Sequence, residues 1–214
     1  MEALRWHDRG VHDPTPERDR LLSLVADHVL AHGTGDLSLS ALARAVGSNN
    51  RMLLYYFGRK EDLLDEAGQV AVRRFPHVAG LMDQLRTPGP LDERLDRAWA
   101  ALAHPDNTPF LQLFFERYGA ALRSPEGNAA YLERMGLAGW PAELGEVLRA
   151  EGMTRPAARR CALEVVAMWR GLQLGLLSGV PREQLAAVHS AFARRLVAGE
   201  VPTRGGRNRA AATL

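Results

Sequence analysis

The chain has 214 residues, of which 46% are hydrophobic and 24% are charged, and these values are ordinary for a globular protein. No apolar run approaches the ~20 residues that a membrane-spanning helix needs. The charged first twelve residues lack the apolar segment of a secretory signal. A net charge of only +2 and a single cysteine exclude a strongly basic molecule and an internal disulfide. The composition therefore predicts a cytoplasmic protein with no membrane partner.

Strong helix formers dominate the composition and isoleucine is absent, which predicts an all-α fold. Residues 1–14 show no sustained periodicity and are predicted to form a flexible arm. The first helix is predicted to start at Pro16, because Thr15 can cap it and proline is favoured at the first helical position. Its apolar residues recur at helical spacing up to Leu30.

Two short helices are predicted to follow, which makes three helices within about 45 residues. Ser38 can cap the first of these two, which ends at Gly47. Asn49 can cap the next, Asn50 to Tyr56, and a further helix starts at Lys60. Compact helices separated by a tight glycine turn are typical of a helix-turn-helix.

The segment between Asp36 and Glu61 contains no acidic residue but has four basic ones, Arg44, Arg51, Arg59 and Lys60. A local basic patch of this kind favours binding to phosphates, although a solvated face without a partner would look similar.

Polar side chains in the same segment support an interaction with double-stranded DNA. Asn50 and Arg51 lie in the first turn of the third helix, and these residue types read adenine and guanine through paired hydrogen bonds. Four other side chains can donate to phosphate oxygens: Ser38, Asn49, Tyr55 and Tyr56. Adjacent helical residues point about 100° apart, so one of the two tyrosines is expected to pack while the other faces DNA.

Residues 38–64 read SLSALARAVGSNNRMLLYYFGRKEDLL. This segment resembles the DNA-binding module of TetR-family (tetracycline-repressor-like) transcription regulators. The resemblance covers about residues 15–66 and depends on Leu42-Ala43, Gly47, Leu53, Phe57 and the run from Lys60 to Leu63. It implies a repressor that binds a near-palindromic operator as a homodimer and is released by a small-molecule effector.

The segment departs from the family pattern in its recognition helix. The tyrosine usual in the family falls on Leu54 and the usual histidine on Tyr55, so Leu54 joins the candidate DNA contacts. Arg51 and Met52 replace small residues. We expect these differences to alter base preference rather than the fold.

The rest of the chain is also predicted to be helical, over about 91–103, 108–123, 129–151 with a break near 140, 155–179 and 181–197. Together with the resemblance, this predicts a helix-turn-helix domain at 15–60, a helical ligand-binding and dimerisation domain at 61–202, and a disordered tail at 203–214.

A stripe of small residues, Ala167, Gly171, Gly175 and Gly179, recurs every four positions in one long helix. Interior glycines cost up to about 1 kcal/mol each, so they indicate close approach of another helix. That helix could belong to a second subunit or to the same one. The dimer interpretation is favoured and adds four residues of the last helix: Leu185, Val188, Phe192 and Leu196.

Aromatic and polar residues of the middle helices could line a cavity for an apolar or aromatic effector. The candidates are Trp99, Phe110, Phe114, Tyr118, Met135, Trp169 and Gln173. Each of them taken alone is more typical of an ordinary core residue.

Catalysis is not expected, and no catalytic residue, cofactor or metal site is predicted. His28 and His32 lie four residues apart on the first helix, but they lack the third ligand of a metal site. The alternatives to a ligand-released repressor are an activating regulator of the same fold and a ligand-independent architectural DNA-binding protein.

Overall fold

The structure, a computed structural model, describes residues 15–35 and 37–199. Over these residues it contains helices and no strand, which confirms the all-α prediction. The α-helices are α1 (Pro16–His32), α2 (Leu39–Ala45), α3 (Asn50–Phe57), α4 (Lys60–Val72), α5 (Pro76–Ala79), α6 (Leu81–Leu85), α7 (Leu91–Leu102), α8 (Thr108–Arg123), α9 (Ala129–Glu133), α10 (Trp140–Ala150), α11 (Arg155–Leu177) and α12 (Arg182–Val197). None of the described helices is long and apolar enough to cross a membrane. The predicted arm, 1–14, and the predicted tail, 203–214, lie outside the described residues.

Local capping sets several of the helix starts, as predicted. Thr15, Ser38 and Asn49 each accept a hydrogen bond from the backbone N–H three residues later, at 3.2, 3.1 and 3.0 Å. Gly58 ends α3 with a φ of 73°, a conformation that favours glycine. The short helices α5 and α6 were not predicted.

The chain divides into two compact units. Among the described residues, the first unit consists of the residues up to Phe75 together with Gln112–Leu132. The second unit consists of Pro76–Leu111 and the residues after Leu132. This division differs from the predicted boundary at residue 60, because α4 packs on α1. Most of α8 also belongs to the first unit.

The first unit has an apolar core built from α1 to α4 together with Leu113 of α8. Leu21, Leu42, Leu53 and Leu63 are each at most 1% exposed, and burying a leucine side chain is worth roughly 1.5–3 kcal/mol. This core fixes the orientation of α3 relative to α2.

Arg18 of α1 links two other helices of the first unit. Its guanidinium lies 2.5 Å from the Glu66 carboxylate of α4 and 4.8 Å from the centre of the Phe57 ring of α3. The guanidinium therefore makes an ion pair and a cation–π contact at once.

The core of the second unit contains a polar chain of three side chains from α7, α11 and α12. Trp169 Nε1 donates to His189 Nε2 at 3.0 Å, and His189 Nδ1 lies 2.8 Å from Asp96 Oδ1. Both contacts are hydrogen bonds when His189 is neutral and carries its proton on Nδ1. The Trp99 ring stacks on the same imidazole, with centroids 5.6 Å apart.

We expect the stability of the protein to fall as the pH drops below about 6.5. Burial lowers the pKa of His189 from its ordinary value of 6.5, and the hydrogen bond and charge of Asp96 oppose this only in part. Below pH 6.5 this histidine is therefore protonated more readily in the unfolded chain than in the folded chain. Stability is therefore full above pH 6.5 and is lost as the pH falls through the lower folded pKa.

Urea unfolding across this pH range measures the effect. His189→Gln should flatten the dependence on pH. The control is His28→Gln, which alters a half-buried histidine whose pKa is also lowered by burial and by His32 and should have the smaller influence. A slope that His189→Gln leaves unchanged would contradict this assignment.

Candidate nucleic-acid interface

The helices α2 and α3 are joined by a turn that contains Gly47 with a φ of 67°. The buried residues Leu53 and Phe57 anchor α3 on the core of the first unit. Four residues of α3, Asn50, Arg51, Leu54 and Tyr55, are exposed, and we call them the α3 face. All four were predicted DNA contacts.

The two adjacent tyrosines of α3 have different environments. Tyr55 is 54% exposed, whereas Tyr56 packs against the core of the first unit. Their rings meet edge to face, with centroids 5.1 Å apart. The expectation that one tyrosine packs is therefore confirmed, and Tyr55 is the one left on the α3 face.

Asn50 and Lys60 hold parts of the helix-turn-helix together. Asn50 Nδ2 donates to Ser40 Oγ at 2.8 Å, which ties the first turns of α2 and α3 together. Lys60 Nζ donates to the backbone oxygen of Leu37 at 2.6 Å, directly before the cap of α2. These contacts give Asn50 and Lys60 positioning roles, and Ser40 was missed because serine is common at helix starts.

The positive charge on this surface is available on fewer basic residues than the sequence predicted. Arg59 makes two hydrogen bonds to the Asp62 carboxylate, at 3.0 and 2.8 Å, so its charge is locally neutralised. Arg44 is exposed. Arg51 is also exposed, with no ion pair or hydrogen bond to any other described residue. Arg44 and Arg51 are therefore the cations best placed to meet an anionic partner.

The side chains that cap α2 and α3 retain hydrogen-bond donors that can still bind an anion. The Ser38 hydroxyl accepts a bond from Ala41 N, and the Asn49 side-chain oxygen accepts one from Met52 N. A hydroxyl that accepts a bond retains its own proton, and the Asn49 amide retains its NH₂ group. Both side chains are exposed at helix N-termini, where an anion is favoured.

Glu116 of α8, which was not predicted, holds the loop before α2. Its carboxylate accepts hydrogen bonds from Thr34 N at 2.6 Å, from Thr34 Oγ1 at 3.1 Å and from Gly35 N. A Cβ on Gly33, whose φ is 75°, would collide with the same carboxylate. Sequence reasoning could not find this contact, because its partners lie 82 positions apart.

Comparisons place this arrangement among known folds. No family model and no curated protein matches the sequence. A solved transcriptional regulator from Rhodococcus sp. Rha1 superposes with a TM-score of 0.66 at 18% identity, over 85% of this chain and 96% of its own. A TetR-like transcriptional regulator from Rhodococcus sp. RHA1 gives 0.56 at 19% identity, over 88% and 100%. The multidrug binding protein EbrR, complexed with imidazole, gives 0.64 at 25% identity, over 86% and 96%.

The chain has the fold of the TetR family. The resemblance inferred from residues 15–66 is thereby confirmed at the level of fold and extends over most of the chain. The three neighbours are named as two transcriptional regulators and a multidrug binding protein.

The candidate effector contacts of this TetR-family fold fall on both units. Trp99, Trp169 and Gln173 are buried in the second unit, at 2%, 1% and 3% exposure. Half-buried Phe114 and Tyr118 lie in the first, with their rings stacked 5.8 Å apart. The remaining two, Phe110 and Met135, are half-buried residues of the second unit. A lining role for these seven residues stays a prediction.

The predicted dimer residues divide into buried and exposed sets. Leu185, Phe192 and Leu196 are at most 8% exposed in the single chain, so they pack within their own subunit. A Cβ on Gly175 would lie 3.1 Å from Leu185 Cδ2, which explains this glycine by packing within the chain. Gly179 has a φ of 84° and follows the end of α11.

The other predicted dimer residues, Ala167, Gly171 and Val188, are exposed on α11 and α12. A Cβ on Gly171 would meet no described atom within 4 Å. Leu163 and Leu174, which were not predicted, are exposed apolar residues of α11 at 39% and 49%. We call these five residues the α11–α12 surface.

Proposed function

We propose that this protein is a sequence-specific, DNA-binding transcription regulator of the cytoplasm. The observation that carries the proposal is the α3 face on a rigid helix-turn-helix. It presents Asn50, Arg51, Leu54 and Tyr55 to solvent beside the exposed N-termini of α2 and α3. A helix of this kind places its first turn in the major groove, where side chains reach base edges.

The division of labour follows from the contacts. Arg51 lies in the first turn of α3 and reads base edges, while Arg44, Ser38, Asn49 and Tyr55 donate to phosphates. Positioning contacts come from Asn50, Lys60 and the packed Tyr56, and Leu54 offers apolar contact to a thymine methyl group.

The phosphate role of Arg44 is tested by the salt dependence of duplex binding. Arg44→Ala should weaken binding to all duplexes and reduce the slope of log affinity against log salt by about 0.9 per lost contact. Fluorescence anisotropy with a labelled duplex pool measures this slope. Arg159→Ala, which removes an exposed positive charge from α11, is the matched control. Equal losses in the two variants would contradict a specific interface on α2 and α3.

The regulator is proposed to act as a homodimer on a near-palindromic operator. Two copies of α3 related by twofold symmetry read half-sites about 34 Å apart, or a multiple of that distance. The α11–α12 surface supports the dimer, because it is apolar and because packing within the chain does not explain Gly171.

Gly171→Ala distinguishes a dimer contact from an open surface. In a single chain the added methyl group meets nothing, so the variant should gain up to about 1 kcal/mol of helix stability. Gly68 of α4 has equally open surroundings, and Gly68→Ala is the matched control. In a tight dimer, Gly171→Ala should instead weaken association by ~1–3 kcal/mol through overpacking. Sedimentation equilibrium measures the association, and identical behaviour of the two variants would remove this surface from the dimer.

The regulator is further proposed to repress and to leave its operator when an apolar or aromatic small molecule binds. EbrR is named as a multidrug binding protein, which supports an effector of this class. Two connections in the first unit support coupling. Helix α4 starts at Lys60, beside the cap of α2, and Glu116 of α8 holds the loop that leads into α2.

The effector must bind more tightly to a state whose two α3 helices no longer match the operator spacing. A thermal-shift screen of aromatic compounds can find candidates. A bound compound that leaves operator affinity unchanged would contradict release by that compound.

A further inference from the structure

Three side chains of the second unit form a cluster that the DNA-binding proposal does not use. His77 lies on α5, His104 follows α7, and Asp106 is two residues further on. We propose that these three residues bind a divalent transition-metal ion of the class of Zn²⁺, Ni²⁺ or Co²⁺. Imidazole nitrogen is a preferred ligand for all three ions, and a carboxylate commonly completes such sites.

The ligand atoms already lie close to the required spacing. Each residue offers one ligand atom, a ring nitrogen from each histidine and a carboxylate oxygen from Asp106. These three atoms all lie within 4.8 Å of one another. His104 Nδ1 and Asp106 Oδ2 are 3.5 Å apart. Metal–ligand bonds of 2.0–2.1 Å in tetrahedral geometry place ligand atoms roughly 3.4 Å apart. One edge of the site is therefore in place, and side-chain rotations of partly exposed residues supply the rest.

The His104–Asp106 edge favours a cation for an electrostatic reason. Asp106 N donates to His104 Nδ1 at 3.3 Å, so in the neutral ring this nitrogen carries a lone pair, and a metal ion bound there would replace this hydrogen bond. The Asp106 carboxylate presents its own lone pairs toward the same nitrogen. A cation bound between the two atoms relieves their repulsion, and either a proton or a metal ion can do so.

His77 distinguishes a metal ion from a proton. Its ring stacks on that of His104, with centroids 4.0 Å apart and planes inclined at 23°. A second imidazole would not stabilise a proton shared by His104 and Asp106, and a protonated His77 ring would be repelled by that proton's charge. A metal ion gains a third ligand when the half-buried His77 ring turns out of the stack, because the lone pair of a ring nitrogen lies in the plane of its ring. Asp106 is exposed and both histidines are half-buried, so the fourth position is open to water.

The sequence could not reveal this site, because His77 and His104 are 27 positions apart. The pair that spacing does reveal, His28 and His32, also stacks, with ring centroids 4.5 Å apart. In the described part of the chain, no acidic side chain completes a three-ligand group with that pair. It therefore offers a matched control within the same molecule.

Equilibrium dialysis of tag-free, EDTA-treated protein against Zn²⁺ tests the proposal. We expect one tight site per chain, whose affinity falls at least about tenfold in His77→Ala and in His104→Asn. This is the lower limit of the loss seen when even the outer partners of a metal site are removed. The asparagine keeps a side-chain acceptor for the N–H of Asp106. The double variant His28→Ala/His32→Ala should retain the site.

Co²⁺ gives a second readout that folding alone does not change. Protein loaded with Co²⁺ should show visible d–d absorption that His77→Ala abolishes, while circular dichroism confirms that the variant is folded. The proposal is overturned if no Zn²⁺ binds, if His77→Ala binds as tightly as the parent, or if only the α1 double variant loses binding. None of these outcomes depends on DNA binding, so the site and the proposed function can fail separately.

Discussion

Replacing Arg51 with alanine is expected to remove base preference at one symmetric pair of positions in the operator. Arg51 is exposed at the first turn of α3 with no described partner that would hold it away from DNA. A bidentate arginine–guanine contact contributes ~1–3 kcal/mol of discrimination. The loss is therefore about 5- to 150-fold per half-site. Because a dimer has two half-sites well apart, the losses should add.

The measurement compares wild-type and variant affinities for the preferred site and for the site changed at the guanine pair. Arg51→Ala should bind both equally, whereas Arg44→Ala should keep the preference and lose affinity for both. Arg51→Lys should recover part of the affinity but little of the preference, because lysine lacks the planar fork of arginine. Preference retained by Arg51→Ala would assign base readout to other residues.

Replacing Glu116 with alanine is expected to lower both the stability of the protein and its affinity for DNA. The substitution leaves the N–H groups of Thr34 and Gly35 without their acceptor, and Thr34 is only 6% exposed. An unsatisfied buried donor costs ~1–3 kcal/mol. Urea unfolding should therefore show a loss of this order.

The effect on DNA should arise because the loop held by Glu116 leads into the cap of α2. Glu116→Gln keeps one acceptor oxygen and should lose less of both properties. Glu126→Ala removes an exposed acid from the same unit and is the matched control. Lower stability with unchanged operator affinity would make Glu116 a purely structural residue and would remove it from the coupling route.

The helices could be predicted from the sequence because their signals are local. Caps at Thr15, Ser38 and Asn49 and the glycine after α3 fix the starts and ends of short helices within a few residues. The apolar spacing of α3 likewise separates Leu53 and Phe57 from Arg51. The all-α class and the helix-turn-helix therefore followed without tertiary information.

The parts of the site that could not be predicted depend on contacts across the fold. The roles of Ser40 and Glu116 come from partners on another helix or loop, and a single sequence gives no measure of such pairings. The glycine stripe shows the same limit. Its regular spacing predicted one shared role in a dimer contact. In the structure Gly175 accommodates Leu185, Gly179 has a positive φ after the end of α11, and Gly171 has no such explanation within the single chain.

The most direct test of the account is selection of bound duplexes from a random DNA pool at near-physiological salt. Wild-type protein and Arg51→Ala should be run in parallel. The account predicts a near-palindromic consensus for the wild type, with half-sites about one helical turn apart or a multiple of it, and loss of one symmetric position for the variant. Binding without a consensus, which fades steeply with salt because backbone contacts dominate, would contradict sequence-specific regulation and favour an architectural protein.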